Sequence, residues 1–228
     1  MSADDQKRAA GEAAAGLVRD DMVVGLGTGS TAAWFVKALA SRGLAGVRGV
    51  ATSVATEALA RSLGLAILDL NDAPPIDLTV DGADEIGPGL ALIKGAGAAL
   101  LREKLVWEAS SRCVVIAEAA KPVAGLGAAP LPIEVVAFGH VTTARRIVSV
   151  LEQHAIAAAP RLRMAGAALL VTDSGNLIYE VVCGAIPDPA GLGAALKSVT
   201  GVVEHGLFIG LADLALIGRD DGVTSLTL

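Results

Sequence analysis

The chain has 228 residues, of which 18 are Lys or Arg and 24 are Asp or Glu, so its formal net charge is −6. With 53% hydrophobic and only 18% charged residues, it is not intrinsically disordered, and the acidic balance argues against a nucleic-acid-binding surface. The mean hydropathy of +0.60 suggests a membrane protein, but charges or Gly/Pro clusters interrupt every apolar stretch before the ~18 residues that a membrane span needs. The first residues, MSADDQKR, lack the apolar core of a secretory signal. We therefore expect a cytoplasmic protein that acts on a small molecule.

Strands and helices are predicted to alternate along the N-terminal half. The predicted helices are 3–17, 30–41, 54–63 and about 97–110, and the predicted strands are 22–27, 47–52, 65–70, 76–81 and 113–118. This alternation indicates βαβ units and a mostly parallel sheet. Because the strands are nearly continuous apolar runs, we expect both faces of the sheet to be covered.

The pattern changes at a Gly/Pro-rich stretch, 125–132, which we interpret as a domain boundary. Beyond it, helices are predicted at 141–153 and 188–198, and strands at 166–172, 176–183 and 201–208. Asp173-Ser174-Gly175 predicts a hairpin turn between the first two of these strands. We expect a larger α/β domain, 1–130 plus 205–228, to which the β-like tail returns, and a smaller antiparallel α+β domain, 131–204.

A glycine-rich motif, GLGTGST at 25–31, lies between a predicted buried strand and a helix. Glycines allow tight turns and close approach of a ligand to the backbone, and a helix start offers free N–H groups to a phosphate. The motif is not a dinucleotide fingerprint, because its third glycine comes one residue too early, and it lacks the lysine of a P-loop. Two interpretations remain, a phosphate-binding loop and a tight turn with no ligand.

Two further polar motifs follow. Asp81-Gly82-Ala83-Asp84-Glu85 ends a predicted strand, where open α/β sheets bind ligands, and it is compatible with a cation site, with acid/base chemistry or with a solvated acidic loop. Lys94-Gly95-Ala96-Gly97 follows an apolar run, so Lys94 could stabilise an oxyanion. Glu103, on the next helix, would by itself be interpreted as an exposed glutamate.

Residue types normally used for other chemistry are missing or scattered. The two cysteines lie in apolar runs and form no CxxC motif, so a zinc site is not expected. Together, a phosphate-binding loop, a carboxylate base, a lysine and two aspartates favour proton transfer next to a carbonyl, as in a sugar phosphate isomerase.

The motifs resemble those of the ribose-5-phosphate isomerase type A family nearly end to end. The resemblance rests on GLGTGST (25–31), TSVATEALARSLG (52–64), DLTVDGADEI (77–86), LIKGAGAALLREK (92–104) and the later LPIEV and GLF segments. It implies a Rossmann-like, mostly parallel α/β domain with a smaller ferredoxin-like α+β domain. It also implies interconversion of D-ribose 5-phosphate and D-ribulose 5-phosphate in the pentose phosphate pathway, with no cofactor and no metal, by a homodimer or homotetramer.

The resemblance also implies roles for individual residues. Glu103 would be the general base, Asp81 would assist ring opening, and Asp84 and Lys94 would hold and polarise the C1 and C2 oxygens. Substrate contacts are implied for these residues: Lys7, Thr28, Gly29, Ser30, Thr31, Asp81, Gly82, Ala83, Asp84, Lys94, Gly95, Ala96, Gly97 and Lys121. Lys7 and Lys121 come from the resemblance alone.

The chain departs from the family pattern at two positions. Ala96 stands where relatives often have glycine, which leaves less room for close backbone approach, and Ala120 replaces a common serine, which removes one possible polar contact. The alternative functions are a CoA transferase or aminosugar-phosphate deaminase of the same fold superfamily, and a sugar-phosphate-binding regulator. The regulator would need a DNA-binding helix-turn-helix, for which the 21 residues before the first strand are too few.

Overall fold

The computed structural model describes residues 1–228, which form two compact units. The first unit comprises Met1–Ala83, Arg102–Pro122 and Gly210–Leu228, and the second comprises Asp84–Leu101 and Val123–Ile209. No helix is both long and apolar enough to cross a membrane.

The first unit is built on a seven-stranded sheet. Its strands are β1 (Val23–Leu26), β2 (Arg48–Ala51), β3 (Ala66–Leu68), β4 (Leu78–Gly82), β7 (Cys113–Glu118), β15 (Leu214–Arg219) and β16 (Gly222–Thr227). Their order is β16-β15-β7-β4-β1-β2-β3, and all neighbouring pairs are parallel except β15 with β16. The expected mostly parallel sheet is confirmed. Strands β1 and β7 are buried along their whole length, as a sheet covered on both faces requires.

Helices α1 (Ala3–Ala15), α2 (Ser30–Ser41) and α3 (Val54–Ser62) belong to this unit, and most of α4 (Leu100–Glu108) does too. Helix α1 begins at a capping box, in which the Ser2 hydroxyl accepts from the Asp5 N–H and the Asp5 carboxylate accepts from the Ser2 N–H. Small residues of α1 and larger ones of α2, such as Phe35, pack with β1 and β4 in a single core. Alanine and branched aliphatic side chains thus form the covering layers, which accounts for the high mean hydropathy.

The C-terminal tail returns to the first sheet, as predicted. Strand β15 runs parallel to β7, with Leu214 opposite Val114, and β16 folds back antiparallel through a turn at residues 219–222. Gly218 is needed on β15 because a Cβ there would collide with the backbone of Gln6 in α1.

The second unit contains a four-stranded antiparallel sheet. Its strands are β8 (Leu131–Val135), β9 (Arg161–Leu162), β12 (Leu177–Val181) and β13 (Val202–His205), in the order β13-β8-β12-β9. Helices α5 (His140–Gln153) and α6 (Pro189–Lys197) share a hydrophobic core with this sheet, through residues such as Ile147, Leu151 and Leu192. The smaller antiparallel α+β part of the predicted fold class is therefore present.

Two small sheets complete the second unit. Strands β5 (Glu85–Ile86), β6 (Leu92–Ile93) and β14 (Leu207–Phe208) form an antiparallel sheet in the order β14-β6-β5, with a 3₁₀ turn at Pro88–Leu90. Strands β10 (Met164–Ala165) and β11 (Ala168–Leu169) form a short hairpin.

Three local predictions differ from the structure. Strand β8 begins inside the stretch 125–132 that we interpreted as a Gly/Pro-rich boundary. Pro132 is part of this fully buried strand, which has a partner strand on each side. The predicted hairpin at 173–175 survives as a turn with a single bridge between Val171 and Leu177, because β12 pairs mainly with β8 and β9. The predicted strand 201–208 is divided at Gly206, and its halves pair with different sheets.

The predicted domain bounds differ from the compact units. Residues 84–101 group with the second unit because β6 pairs with β14, and residues 205–209 do so for the same reason. The division into a larger α/β domain, 1–130 plus 205–228, and a smaller α+β domain, 131–204, stays a prediction.

Both cysteines have suppressed thiol acidity. Burial, with a smaller contribution from nearby Asp213, raises the pKa of Cys113 to about 12. Burial, with a smaller contribution from Glu85, raises the pKa of Cys183 to about 11. Because the thiolate is the nucleophile, neither cysteine is suited to nucleophilic catalysis.

Candidate functional site

In the first unit, the glycine-rich loop lies at the point where the strand order of the sheet reverses. From β1 the chain proceeds outward to β2 and β3, then returns to β4 on the other side of β1. The carboxyl ends of β1 and β4 flank this switch point, which is where open α/β sheets bind ligands. Gly27–Thr31 follows β1, and Asp81-Gly82 ends β4.

The Asp81 side chain is bonded to the glycine-rich loop. Its Oδ1 accepts hydrogen bonds from the N–H of Thr28 at 3.0 Å and from the N–H of Gly82 at 2.7 Å. A Cβ at Gly27 would overlap the Asp81 carboxylate, so this glycine is required by close packing. Asp81 is completely buried, and its carboxylate holds the loop and the strand end together.

The Thr28 side chain belongs to a cluster of hydroxyl groups. Its Oγ1 lies 2.7 Å from the Oγ1 of Thr52, 2.9 Å from the Oγ of Ser53 and 3.3 Å from the Oγ1 of Thr56. The Thr56 hydroxyl also donates to the carbonyl of Gly27 at 2.9 Å. Thr28 is thus directed into the protein, and its hydroxyl fixes the shape of the loop.

The next loop residues are open to solvent. Gly29 has a φ of 99° and stands before α2 without a side-chain cap, and both Gly29 and Ser30 are exposed. The first N–H groups of a helix have no acceptor within it, so those at the start of α2 are suited to an anion. The Lys7 Nζ of α1 donates to the Ser30 Oγ at 3.1 Å, which brings a positive charge to the same loop.

Lys121 follows β7, the strand beside β4 on the sheet. Its Nζ lies 3.8 Å from Oε1 of Glu118, the last residue of β7. Gln6, next to Lys7 on α1, accepts at its Oε1 from the N–H of Ala119 at 3.1 Å. Helix α1 is therefore tied to the segment that carries Lys121.

Glu103 is buried, with only 3% of its surface exposed, so the interpretation as an exposed helix glutamate is wrong. On α4 it lies three and four positions before Val106 and Trp107, which are both buried, so the three share one helix face. Val106 packs with Val23 of β1 in a hydrophobic cluster. This spacing was the available sequence signal that Glu103 faces inward.

In the second unit, Lys94 directly follows β6 and is 2% exposed. Its N–H donates to the carbonyl of Gly206 at 2.9 Å, and the Gly206 N–H donates to the carbonyl of Pro132 at 2.8 Å. The Lys94 Nζ lies 5.3 Å from the ring centroid of Phe208 on β14, within cation–π range. A buried ammonium is costly unless something uses or compensates its charge, so Lys94 does not serve solubility.

The segment after Lys94 is bonded to Asp84. The Ala96 N–H donates to the Asp84 Oδ2 at 3.0 Å, and the Asp84 N–H donates to the carbonyl of Ile93 at 2.8 Å. Gly95 adopts a φ of 110° and has no room for a Cβ against Pro132 and Leu100. The turn after Lys94 therefore requires glycine at position 95.

The predicted site residues thus divide between the two units. The first unit contains Lys7, Thr28, Gly29, Ser30, Thr31, Asp81, Gly82, Ala83, Glu103 and Lys121, and the second contains Asp84, Lys94, Gly95, Ala96 and Gly97. Their roles in binding and catalysis stay predictions. No group of three or more His, Cys, Asp or Glu side chains is placed to hold a metal ion.

Sequence reasoning missed two sets of residues beside the predicted ones. The hydroxyls of Thr52, Ser53 and Thr56 were visible as polar residues at and just beyond the end of a predicted strand. Arg163, by contrast, contacts the 94–97 segment from a distant part of the chain, and no local pattern indicates this.

Gly206→Ala is expected to lower the free energy of unfolding by about 1–3 kcal/mol, because a Cβ would lie 2.7 Å from Pro132 Cδ and would overlap the Lys94 carbonyl. The matched control is Gly125→Ala in the same unit, where nothing lies within 4 Å of an added Cβ; a change within about 0.5 kcal/mol is expected there. Urea unfolding of both variants measures the difference. Equal stabilities would contradict close packing at Gly206.

Comparisons with a family model, with curated proteins and with solved structures all point to one family. The family model described as Ribose 5-phosphate isomerase A (phosphoriboisomerase A) matches residues 48–222. The chain is 67% identical over 226 residues to a protein named ribose-5-phosphate isomerase A from Caulobacter vibrioides (strain NA1000 / CB15N), with 99% of each covered. It is similar to a solved D-ribose-5-phosphate isomerase in complex with phospho-erythronic acid, with a TM-score of 0.92, 36% identity and 100% of both chains covered. The ribose 5-phosphate isomerase from Plasmodium falciparum gives a TM-score of 0.92 at 34% identity, with 99% of both chains covered.

Proposed function

Because the chain belongs to the ribose 5-phosphate isomerase A family, we propose that it interconverts D-ribose 5-phosphate and D-ribulose 5-phosphate by general-base proton transfer through an enediolate. The observation that carries the proposal is the burial of Glu103 on the same helix face as Val106 and Trp107. A glutamate with only a solvating role would lie on the opposite face.

Binding of the phosphate is proposed for the loop after β1 and the lysines near it. The α2 N-terminus supplies N–H groups and a partial positive charge. The Ser30 hydroxyl, already bonded to the Lys7 Nζ, supplies a donor and a nearby cation. Lys121, on the loop after β7, would add a second positive charge.

The proton transfer is proposed for Glu103. Asp81 first assists opening of the furanose ring to the free aldehyde. The Glu103 carboxylate then takes the proton from C2, the electrons of that C–H bond form a C1–C2 double bond, and the C1 carbonyl oxygen becomes an enediolate oxygen. The O2 hydroxyl gives its proton to O1, and the electrons of that O–H bond form the C2 carbonyl. At the same time the electrons of the C1–C2 double bond take the proton that Glu103 returns to C1, which gives ribulose 5-phosphate. A positioned base of this kind contributes about 10²–10⁴-fold.

Stabilisation of the enediolate is proposed for Lys94 and Asp84. The Lys94 ammonium is buried, so its attraction for a developing oxyanion is weakly screened. Asp84 would hold a hydroxyl of the substrate and, through the Ala96 N–H, the 94–97 segment. Phospho-erythronic acid, bound in a solved relative, supports this reading, because its planar carboxylate has two oxygens arranged like those of an enediolate.

The proposed reaction needs no metal ion, so EDTA is expected to leave the turnover of ribose 5-phosphate unchanged. Asp81 Oδ1 and Asp84 Oδ2 already accept from backbone N–H groups, which are positive partners that take the place of a cation. The measurement is ribulose 5-phosphate formation by the purified protein before and after EDTA treatment. Loss of activity that Mg²⁺ restores would contradict the metal-free mechanism, and no activity on any pentose phosphate would contradict the function.

The setting of the reaction is also a proposal. We place the protein in the cytoplasm, in the non-oxidative pentose phosphate pathway, as a homodimer or homotetramer. Sedimentation equilibrium of the purified protein would measure the number of subunits.

A further inference from the structure

Arg163 makes contacts that set it apart from the other arginines of the second unit. It lies between β9 and β10, and its side chain is only 11% exposed. Its Nη1 donates to the carbonyl of Gly95 at 2.9 Å and to the carbonyl of Ala96 at 3.2 Å. These two carbonyls belong to the segment that follows the buried Lys94.

Glu180 of β12 holds the guanidinium in this orientation. Its Oε1 accepts from the Arg163 Nε at 2.9 Å and lies 2.7 Å from Nη2. The Arg163 N–H also donates to the carbonyl of Ile178 at 2.8 Å, so the arginine is fixed at both its backbone and its side chain. A planar guanidinium can bond to a carboxylate and to carbonyls at once, which a lysine ammonium does less specifically.

The segment is therefore bonded on both sides. The Gly95–Ala96 peptide donates its N–H to the Asp84 Oδ2, while its carbonyl accepts from Arg163. The next carbonyl, of Ala96, also accepts from Arg163, and all peptide bonds are trans. In a trans peptide the N–H points opposite to the C=O, so Arg163 determines the direction of the Gly97 N–H.

We infer that Arg163, oriented by Glu180, is a positioning residue that fixes the 94–97 segment for the isomerisation. The inference rests on the proposed function, because the segment is proposed to contact the reacting end of the sugar.

The test compares Arg163→Gln with Arg161→Gln. Arg161 lies on β9 opposite Glu180, is exposed, and loses the same charge when replaced. For Arg163→Gln, kcat for ribose 5-phosphate is expected to fall about 10–100-fold, while KM changes by less than about threefold because the phosphate contacts lie elsewhere. Arg161→Gln should match the wild type in both constants.

Hydrogen exchange provides a readout that does not depend on activity. The Ala96 and Ala98 amides, bonded to Asp84 and to the Gly95 carbonyl, are expected to exchange about tenfold faster or more in Arg163→Gln, as loss of a charged hydrogen bond would allow. Amides of residues 27–31 should be unaffected. If the wild type failed to isomerise ribose 5-phosphate, the proposed function would be lost, but the exchange data would still show whether Arg163 holds the segment.

Glu180→Gln serves as the second variant. It keeps the shape of the side chain and removes its charge, so we expect a smaller fall in kcat in the same direction, and a double variant with Arg163→Gln no worse than Arg163→Gln alone. Faster exchange without a fall in kcat, a fall in kcat without faster exchange, or additive effects of the two substitutions would overturn the inference.

Discussion

Glu103→Gln is expected to lower kcat for ribose 5-phosphate isomerisation by about 10²–10⁴-fold. The amide has the shape of the carboxylate but cannot accept the C2 proton, so binding should persist while the chemical step fails. Since Glu103 is buried on α4, a neutral replacement of equal size should leave the fold intact. Steady-state kinetics together with a thermal melt of the variant check both statements.

Glu108→Gln is the matched control for this substitution. Glu108 is at the exposed end of the same helix, and its replacement removes the same charge. We expect kcat and KM within about twofold of the wild type, as for most surface substitutions. Turnover by Glu103→Gln equal to that of Glu108→Gln would refute the assignment of the general base.

Lys94→Met is expected to lower kcat by about 10²–10³-fold, the loss typical of removing one oxyanion-stabilising donor. Methionine has a similar length and is apolar, so it fills the site beside Phe208 without a buried charge. A thermal melt of the variant measures how much of the effect comes from a change in folding. A fall in kcat at a temperature where the variant is still fully folded would identify Lys94 as a catalytic lysine rather than a purely structural one.

Lys37→Met provides the comparison. Lys37 is exposed on α2, and its Nζ lies 4.6 Å from the ring centroid of Trp34, so it too has a cation–π contact. Because it lies outside the proposed site, its loss should leave kcat unchanged. If Lys94→Met retained the turnover of Lys37→Met, stabilisation of the enediolate would need another donor.

Several features of the protein followed from local sequence. The apolar runs at 22–27 and 113–118 predicted buried parallel strands, and β1 and β7 lie there. The glycines of the 25–31 motif predicted a tight turn before a helix, since few other residues tolerate the φ of Gly29. Periods of two and 3.6 residues and glycine turns depend on neighbours in the chain, so they can be read directly.

The family resemblance carried more than the local patterns could. The charged neighbours of Glu103 favoured a solvated glutamate, and only its spacing to Val106 and Trp107 indicated otherwise, while Lys7 and Lys121 had no distinguishing feature. Burial of Glu103 depends on which face of α4 meets the sheet, and the bond from Lys7 to Ser30 depends on the packing of α1 near α2. Both are properties of the assembled first unit.

The sequence by itself determines the high mean hydropathy and the net charge of −6. They excluded classes of protein, and three short polar motifs in that apolar background indicated the chemistry. Only the tertiary structure decided that β6 pairs with β14, that Gly206 must lack a side chain, and that Arg163 bonds to the carbonyls of Gly95 and Ala96. These contacts join residues distant in the chain, and their energies depend on distance in space, which no local pattern of residues encodes.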